Sequence, residues 1–384
     1  MKRAVNGIKQ IINARHAFGQ FIPLQTLNRT LFEYDVTFHG AGDVYFPKTS
    51  RVPDAPFISL TLIPQAFPPH YHFTVRDAVV AHGMTVDPAA PRRVFMELMP
   101  NVVPSEEGKI WTFDVSKRQR AVKRAKGAGA TVGSAYIWSN ANWSNYYHFL
   151  LDAGIRYTNL AVAGALPEDV VFLAHSEPNA WQSDYLQLLG IDPDALRVLP
   201  SGQGAPLTVS ELTIAAASRV RFACSPVATT RFRDRVLGAA GIAPGLVDRR
   251  IYVSRADAGK RRVLNEAEIW PLFEERGFEF VTLDGLSVPE QLSLFASASM
   301  VAGPHGAGLT NMIFADAPLV FELLPADRWN LGVFSTLTNV IGGQYHAFIA
   351  NQENASSLTI RSLAEDNDYV VDPKRLAQAL SVIT

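Results

Sequence analysis

Cysteine is almost missing from this chain: Cys224 is the only one in 384 residues. No intrachain disulfide can form, so a reducing, cytoplasmic setting is expected. No apolar run reaches the ~18 residues that cross a bilayer. Met1 to His16 lacks the continuous apolar core of a cleavable leader, so none is expected. An excess of one charge is missing too. The 35 Lys and Arg against 36 Asp and Glu leave a net charge of -1, which gives no global field to draw nucleic acid. Two familiar phosphate loops are absent. There is no Gly-x-x-x-x-Gly-Lys-Ser/Thr, and Gly127-Ala128-Gly129 has the wrong continuation for a dinucleotide fingerprint. Internal repeats and low-complexity tracts are also lacking.

What is present reads as a large folded chain. Hydrophobic residues make up 48% and charged residues 18%, a globular balance. The length predicts two domains. Residues 1–16 place Val5, Ile8 and Ile12 at helical spacing among Lys2, Arg3, Lys9 and Arg15. Such a stripe either packs on its own domain or lies on an anionic membrane surface as a peripheral contact. Ser59 to Ile63 and Arg93 to Leu98 read as strands. Residues 117–126 carry six positive charges without interleaved aromatics, which reads as a solvated face rather than a nucleic-acid stripe.

From Ala135 a repeating grammar begins. Strands are predicted at 135–138, 169–174 and 196–199, with helices at 147–160 and 181–189, the order of a parallel sheet. A helix at 230–237 precedes Gly241 to Asp248, whose glycines and proline mark a domain boundary. A second unit follows. Strands are expected at 250–253, 278–281, 300–303 and 319–323. Helices are expected at 265–276, at 287–296 with a Ser287/Glu290 capping box, and from Gly308 onward. The fold class is therefore α/β with two Rossmann-like domains. The expected layout is 1–240 on the acceptor side, with extra strands in 1–130; 241–345 on the nucleotide side; and a tail, 346–384, packing back on the first domain.

Four motifs carry chemistry. Gly303-Pro304-His305-Gly306-Ala307-Gly308-Leu309 follows a strand and opens a helix, where free N–H groups favour an anion such as a pyrophosphate. Ser254 and Arg255 end a strand at the same sheet edge, and Lys260, Arg261 and Arg262 follow. Cationic groups there would neutralise a diphosphate leaving group. Glu322 ends an apolar strand, where a carboxylate either accepts the hydroxyls of a ribose or merely caps the surface. His148 and Asp152 share one helical face, as a base and its orienter or as a structural pair. No metal is called for. Asp192-Pro193-Asp194 and Asp366-Asn367-Asp368 read as turns. His70 and His72 share a strand face with no third ligand apparent.

These residues resemble glycosyltransferase family 61. The likeness rests on Tyr147-His148-Phe149-Leu150-Leu151-Asp152, Ser254-Arg255, Arg261 to Glu266, Glu290-Gln291, Gly303 to Asn311 and Phe321-Glu322-Leu323, in that order, and covers about residues 135 to 325. It implies a GT-B fold and an inverting transfer without an essential metal or cofactor. The implied donor is a nucleotide-sugar, commonly UDP-linked. The implied acceptor is a glycan or glycolipid hydroxyl, as in bacterial capsule or lipopolysaccharide assembly. It implies donor contacts from Ser254, Arg255, Lys260, Arg261, Gly303, His305, Gly306, Ala307, Gly308, Leu309 and Glu322. The catalytic pair would be His148 and Asp152. The competing readings are a pyruvyl- or phosphosugar transferase of surface-polysaccharide assembly and a non-catalytic glycan-binding protein on the same frame.

Overall fold

The computed structural model describes residues 37–39, 43–45, 65–67, 70–81, 84–86, 129–138, 143–199, 206–215, 219–220, 223–243, 245, 248–325, 332–350 and 368–382. The strands read at Ser59 to Ile63 and Arg93 to Leu98 lie outside these residues, as do residues 1–16 and 117–126. The chain divides into two compact units at Arg235/Val236.

The first unit contains β1 (Thr37–His39), β2 (Asp43–Tyr45), β3 (Gln65–Phe67), β4 (His70–Ala81), β5 (Met84–Val86), β6 (Thr131–Ile137), β7 (Val171–Ala174), β8 (Arg197–Val198), β9 (Leu207–Ala215), β10 (Arg219–Val220) and β11 (Ala223–Cys224). Its main sheet has the order β1-β4-β9-β6-β7-β8, with β5 on β4. The strands β9, β6, β7 and β8 run parallel. The long β4 is antiparallel to β9 and extends that half as an antiparallel wing. One core face is Phe73, Val75, Ala135, Ile137, Leu173, Leu212 and Ile214.

Helix α1 begins at Tyr146–His148, passes through a π-helical stretch at Phe149–Gly154 and continues as Ile155–Val162. It covers the predicted helix 147–160, but the hydrogen-bond shift in its middle has no sequence signature. Helix α2 (Ala180–Leu188) opens with a full capping box between Asn179 and Gln182. Helix α3 (Pro226–Ala239) is longer than the predicted 230–237 and spans the division between the units.

The second unit is a five-stranded, wholly parallel sheet of β12 (Arg249–Val253), β13 (Phe278–Val281), β14 (Ala298–Pro304), β15 (Leu319–Pro325) and β16 (Gln344–Ala350). Its order is β13-β12-β14-β15-β16. Counted from β12, that is 2-1-3-4-5, a doubly wound order whose switch point lies between β12 and β14. Ile251, Tyr252, Val301, Ala302, Val320 and Phe321 are all buried, as central strands of a parallel sheet covered on both faces require.

The connections are α4 (Glu266–Glu274), α5 (Val288–Ala296), a 3₁₀ helix (Ala307–Phe314) and α6 (Val333–Val340). The Ser287/Glu290 capping box is present in full. The helix expected from Gly308 is the 3₁₀ segment rather than an α-helix.

The tail departs from expectation. Its edge at 345/346 cuts through β16. Tyr369, Val371, Leu376 and Leu380 pack with Tyr252, Ile269 and Phe273 in the second unit's own core. Helix α7 (Pro373–Ala379) lies against α4. These apolar side chains bury themselves on the nearest sheet. Burying each such large side chain is worth ~1.5–3 kcal/mol, enough to fix the tail there. Among the described residues no helix is long and apolar enough to cross a membrane.

Candidate active site

The carboxyl ends of β12 and β14 meet at the switch point, and two glycines allow the meeting. Gly303 has φ 154°, and a Cβ there would sit 2.4 Å from the Val253 carbonyl oxygen. Only glycine lets β14 end so close to β12. Gly306 is extended backbone, which any residue adopts. Its reason is space: a Cβ would fall 2.0 Å from an Arg255 guanidinium nitrogen. The Arg255 side chain therefore lies across the face of the loop. It also donates to the Lys260 carbonyl at 3.0 Å, which ties the loop holding Lys260 and Arg261 to the same place. Arg261 has φ 58°, in the left-handed region that few non-glycine residues occupy.

His305 follows directly. Its backbone N–H donates to the Leu323 carbonyl at 2.9 Å. Its Nδ1 lies 2.5 Å from Glu322 Oε1, and its ring packs 5.2 Å from that of Phe334. Nε2 has no protein partner among the described residues. Glu322 is 2% exposed, and its second oxygen accepts the hydroxyl proton of Tyr345. Burial, reinforced by the Glu322 charge, holds the Tyr345 hydroxyl protonated well above the ordinary tyrosine range. Both Glu322 oxygens thus serve protein partners. Of the two readings of this strand-end acid, the surface cap is excluded by its burial against His305 and Tyr345.

Ser254 is also engaged by protein partners. Its hydroxyl donates to Glu266 Oε2 at 2.6 Å and accepts from the Ala256 N–H at 3.0 Å. Tyr252 donates to the other Glu266 oxygen at 2.9 Å. Glu266 ties the end of β12 to the start of α4, so Ser254 shapes the turn that aims Arg255. Arg262 is committed as well. Its backbone N–H, Nε and a terminal nitrogen bond Asp368 at 2.8, 3.0 and 2.6 Å. These bonds hold the Asp368 carboxyl below its usual range. Asp368, the last acid of one Asp-x-Asp motif, is therefore a clamp partner; the rest of that motif lies outside the described residues.

The clamp is part of a longer strap. Tyr369 pairs with Val263 in a parallel bridge, and its hydroxyl donates to the Leu323 carbonyl at 2.9 Å. That carbonyl also receives the His305 N–H. Asn265 stands at the N-cap position of α4 without a side-chain cap bond; its side chain instead bonds the Val371 backbone at 2.7 and 3.0 Å.

Ala307 and Gly308 are half-buried, and the chain after them is buried. Leu309, Thr310 and Asn311 are enclosed, and Asn311 Nδ2 donates to Gln291 Oε1 at 3.0 Å. The first N–H groups of the 3₁₀ segment, at Ala307 and Gly308, have no helical carbonyl to pair with. The sequence-predicted Arg255, Lys260, Arg261, Gly303, His305, Gly306, Ala307, Gly308, Leu309 and Glu322 are thus gathered at one end of one sheet.

His148 and Asp152 belong to the first unit. His148 Nδ1 lies 2.7 Å from Asp152 Oδ2, with side chains 19% and 1% exposed. The Asn145 side chain caps the helix start at the His148 N–H. Asp152 sits inside the π-helical stretch, a distortion that recurs at functional sites. One turn on, Arg156 is buried. Its Nε donates to the Tyr136 hydroxyl at 3.0 Å, and a terminal nitrogen reaches the Ile137 and Trp138 carbonyls at 3.1 Å each. His175, just past β7, stays neutral because burial, and then the Arg156 charge, lower its pKa. Sequence reading missed Arg156 and His175. Arg156 had a signal, its spacing of four from Asp152. His175 had only its place after a strand.

Among the described residues no three His, Cys, Asp or Glu side chains stand close enough to hold a metal ion. Asp192 accepts from the Asp194 N–H at 3.0 Å and caps a 3₁₀ turn. His72 bonds His39 at 2.6 Å, and His70 lies 3.3 Å from Asn159.

Residues 146–321 match the family model described as Glycosyltransferase 61. A curated relative, beta-1,2-xylosyltransferase XAX1 of Oryza sativa subsp. japonica, is 36% identical over 107 residues, 27% of this chain. The matched stretch is 18% of that protein's length. The family segment opens with α1 and closes on β15, one residue before Glu322. It therefore contains the His148–Asp152 pair, Arg255 and the whole Gly303-to-Leu309 loop, and the resemblance read from the motifs is borne out over it.

Proposed function

We propose, from the premise that residues 146–321 are a glycosyltransferase family 61 segment, that this chain transfers a sugar from a nucleotide-sugar to a glycan hydroxyl. The observation that carries the reading is the convergence of Arg255 and the His305–Glu322 pair at the switch point of a parallel sheet. Ligands of doubly wound folds bind there, outside the carboxyl ends of the strands. Three features suit a diphosphate: a guanidinium, an imidazole with a carboxylate behind it, and unpaired N–H groups. With Nδ1–H given to Glu322, the imidazole presents Nε2. When that nitrogen is protonated it donates to a phosphate oxygen, and Glu322 compensates the charge.

The chemistry follows from the balance of charge. The acceptor hydroxyl loses its proton to a base as its oxygen bonds the anomeric carbon. The bond from that carbon to the diphosphate oxygen breaks, and the pair leaves with the diphosphate. Attack from the opposite face inverts the centre. Arg255, His305 and the loop N–H groups stabilise the leaving anion in place of a metal. The base is the His148–Asp152 pair. GT-B is the fold that the family resemblance implies. The acceptor belongs to surface-polysaccharide assembly. UDP is the nucleotide to test first, and the rice relative's name puts a pentose, xylose, first among the sugars.

A thermal-shift panel of UDP-, GDP-, CMP- and ADP-sugars tests this. A true donor at ~100 times its dissociation constant adds ~2.7 kcal/mol of stability. A panel without any shift, together with no transfer, would sink the reading.

A further inference from the structure

Glu322 and His305 would not keep their geometry unaided. A buried carboxylate with one partner can rotate or take up a proton. Here the second oxygen is fixed by the Tyr345 hydroxyl. Tyr345 stands on β16, beyond the family segment. The register that brings it there is specific: Glu322 pairs with Ala347 and Val320 with Tyr345. Tyr345 therefore lies on the same face of the sheet as Glu322, two residues along the neighbouring strand. Nothing else in the mechanism uses this hydroxyl.

We propose that Tyr345 is a positioning residue of the donor site. Its hydroxyl locks the Glu322 carboxylate in the orientation that holds His305 with Nε2 presented to the diphosphate. The inference rests on the nucleotide reading of this site for its ligand, but the Tyr345–Glu322–His305 coupling itself does not. The groups around Glu322 are His305 from the loop after β14, Tyr345 from β16 and Tyr369 from the strap. Tyr369 is in turn within the fields of Arg255, Glu266 and Arg261. Of the hydroxyls, that of Tyr345 bonds the carboxylate, while that of Tyr369 bonds a carbonyl.

Tyr345→Phe removes the donor and little volume. The Glu322 carboxylate is then free to turn and the His305 ring with it, so kcat/KM for the donor should fall about tenfold. Imidazole ¹⁵N NMR of the full chain, assigned through His305→Gln, follows the same coupling without substrate, and the His305 signals should shift in Tyr345→Phe. In a Glu322→Gln background the Tyr345→Phe change should move neither readout. Unshifted His305 signals with an unchanged kcat/KM would overturn the proposal, as would a loss that persists in full in the Glu322→Gln background. If UDP leaves the wild-type His305 signals untouched while Tyr345→Phe shifts them, the nucleotide reading fails and the positioning role stands.

Discussion

Gly306→Ala probes the contact on which the donor site depends. The added methyl would lie 2.0 Å from one Arg255 nitrogen, 2.7 Å from its Cζ and 2.9 Å from its Cδ. All three atoms belong to one side chain, so the backbone can stay and the guanidinium must leave. The backbone at 306 is extended and accepts alanine without strain. Overpacking of this kind costs ~1–3 kcal/mol when it cannot relax, and less when a partly exposed arginine swings aside. Stability should therefore fall only slightly. Function should fall more, because loss of one aligned contact to a developing anion commonly costs ~2–4 kcal/mol, or ~30- to 1,000-fold in kcat/KM. Arg255→Ala should lose a similar amount. The two changes act through one group, so the double variant should be no worse than Arg255→Ala. Initial rates with saturating acceptor and varied donor give all four corners of the cycle. A fully active Gly306→Ala would refute the reasoning, as would losses that simply add.

His148→Ala and Asp152→Asn should each cut turnover while leaving nucleotide affinity within about twofold, since neither touches the diphosphate; wild-type turnover in both would make the pair structural. Activity should persist in EDTA because the counter-charge is cationic side chains; turnover lost in chelator and restored by Mn²⁺ or Mg²⁺ would contradict this. The lowered pKa of His175 also has a stability consequence. The unfolded chain binds that proton at about pH 6.5 and the folded chain only at lower pH, so stability is full above about 6.5 and declines as pH falls toward the folded pKa. Melting temperatures from pH 7.5 to 5 should therefore fall more steeply in wild type than in His175→Gln, and parallel curves would rule out this linkage.

Much of the second unit was legible because its signals are local. The strands β12 to β15 are short apolar runs between breakers, and the Ser287/Glu290 box is a complete motif in four residues. Other features depend on neighbours distant in sequence. Glu322 was visible as a strand-end acid. Its use was not, because Tyr345 enters from β16, twenty-three residues on, and nothing local announces that its hydroxyl meets Glu322. Ser254 was legible as a strand-end hydroxyl, but its bond to Glu266, twelve residues on, was not. In β9, Leu207 to Ser210 alternates but Leu212 to Ala215 is wholly buried, so neither period dominates. The π-helical register of α1 leaves no mark in side-chain spacing. The tail was misplaced because Tyr369 and Val371 are too few to declare which core they enter.

A crystal structure of the full chain with UDP tests the central claim most directly. The account predicts the diphosphate at the carboxyl ends of β12 and β14, bonded by the Arg255 guanidinium and His305 Nε2, with Glu322 still bound to His305 and Tyr345. A UDP bound only in the first unit, or one in the second unit whose phosphates touch neither Arg255 nor His305, would contradict it.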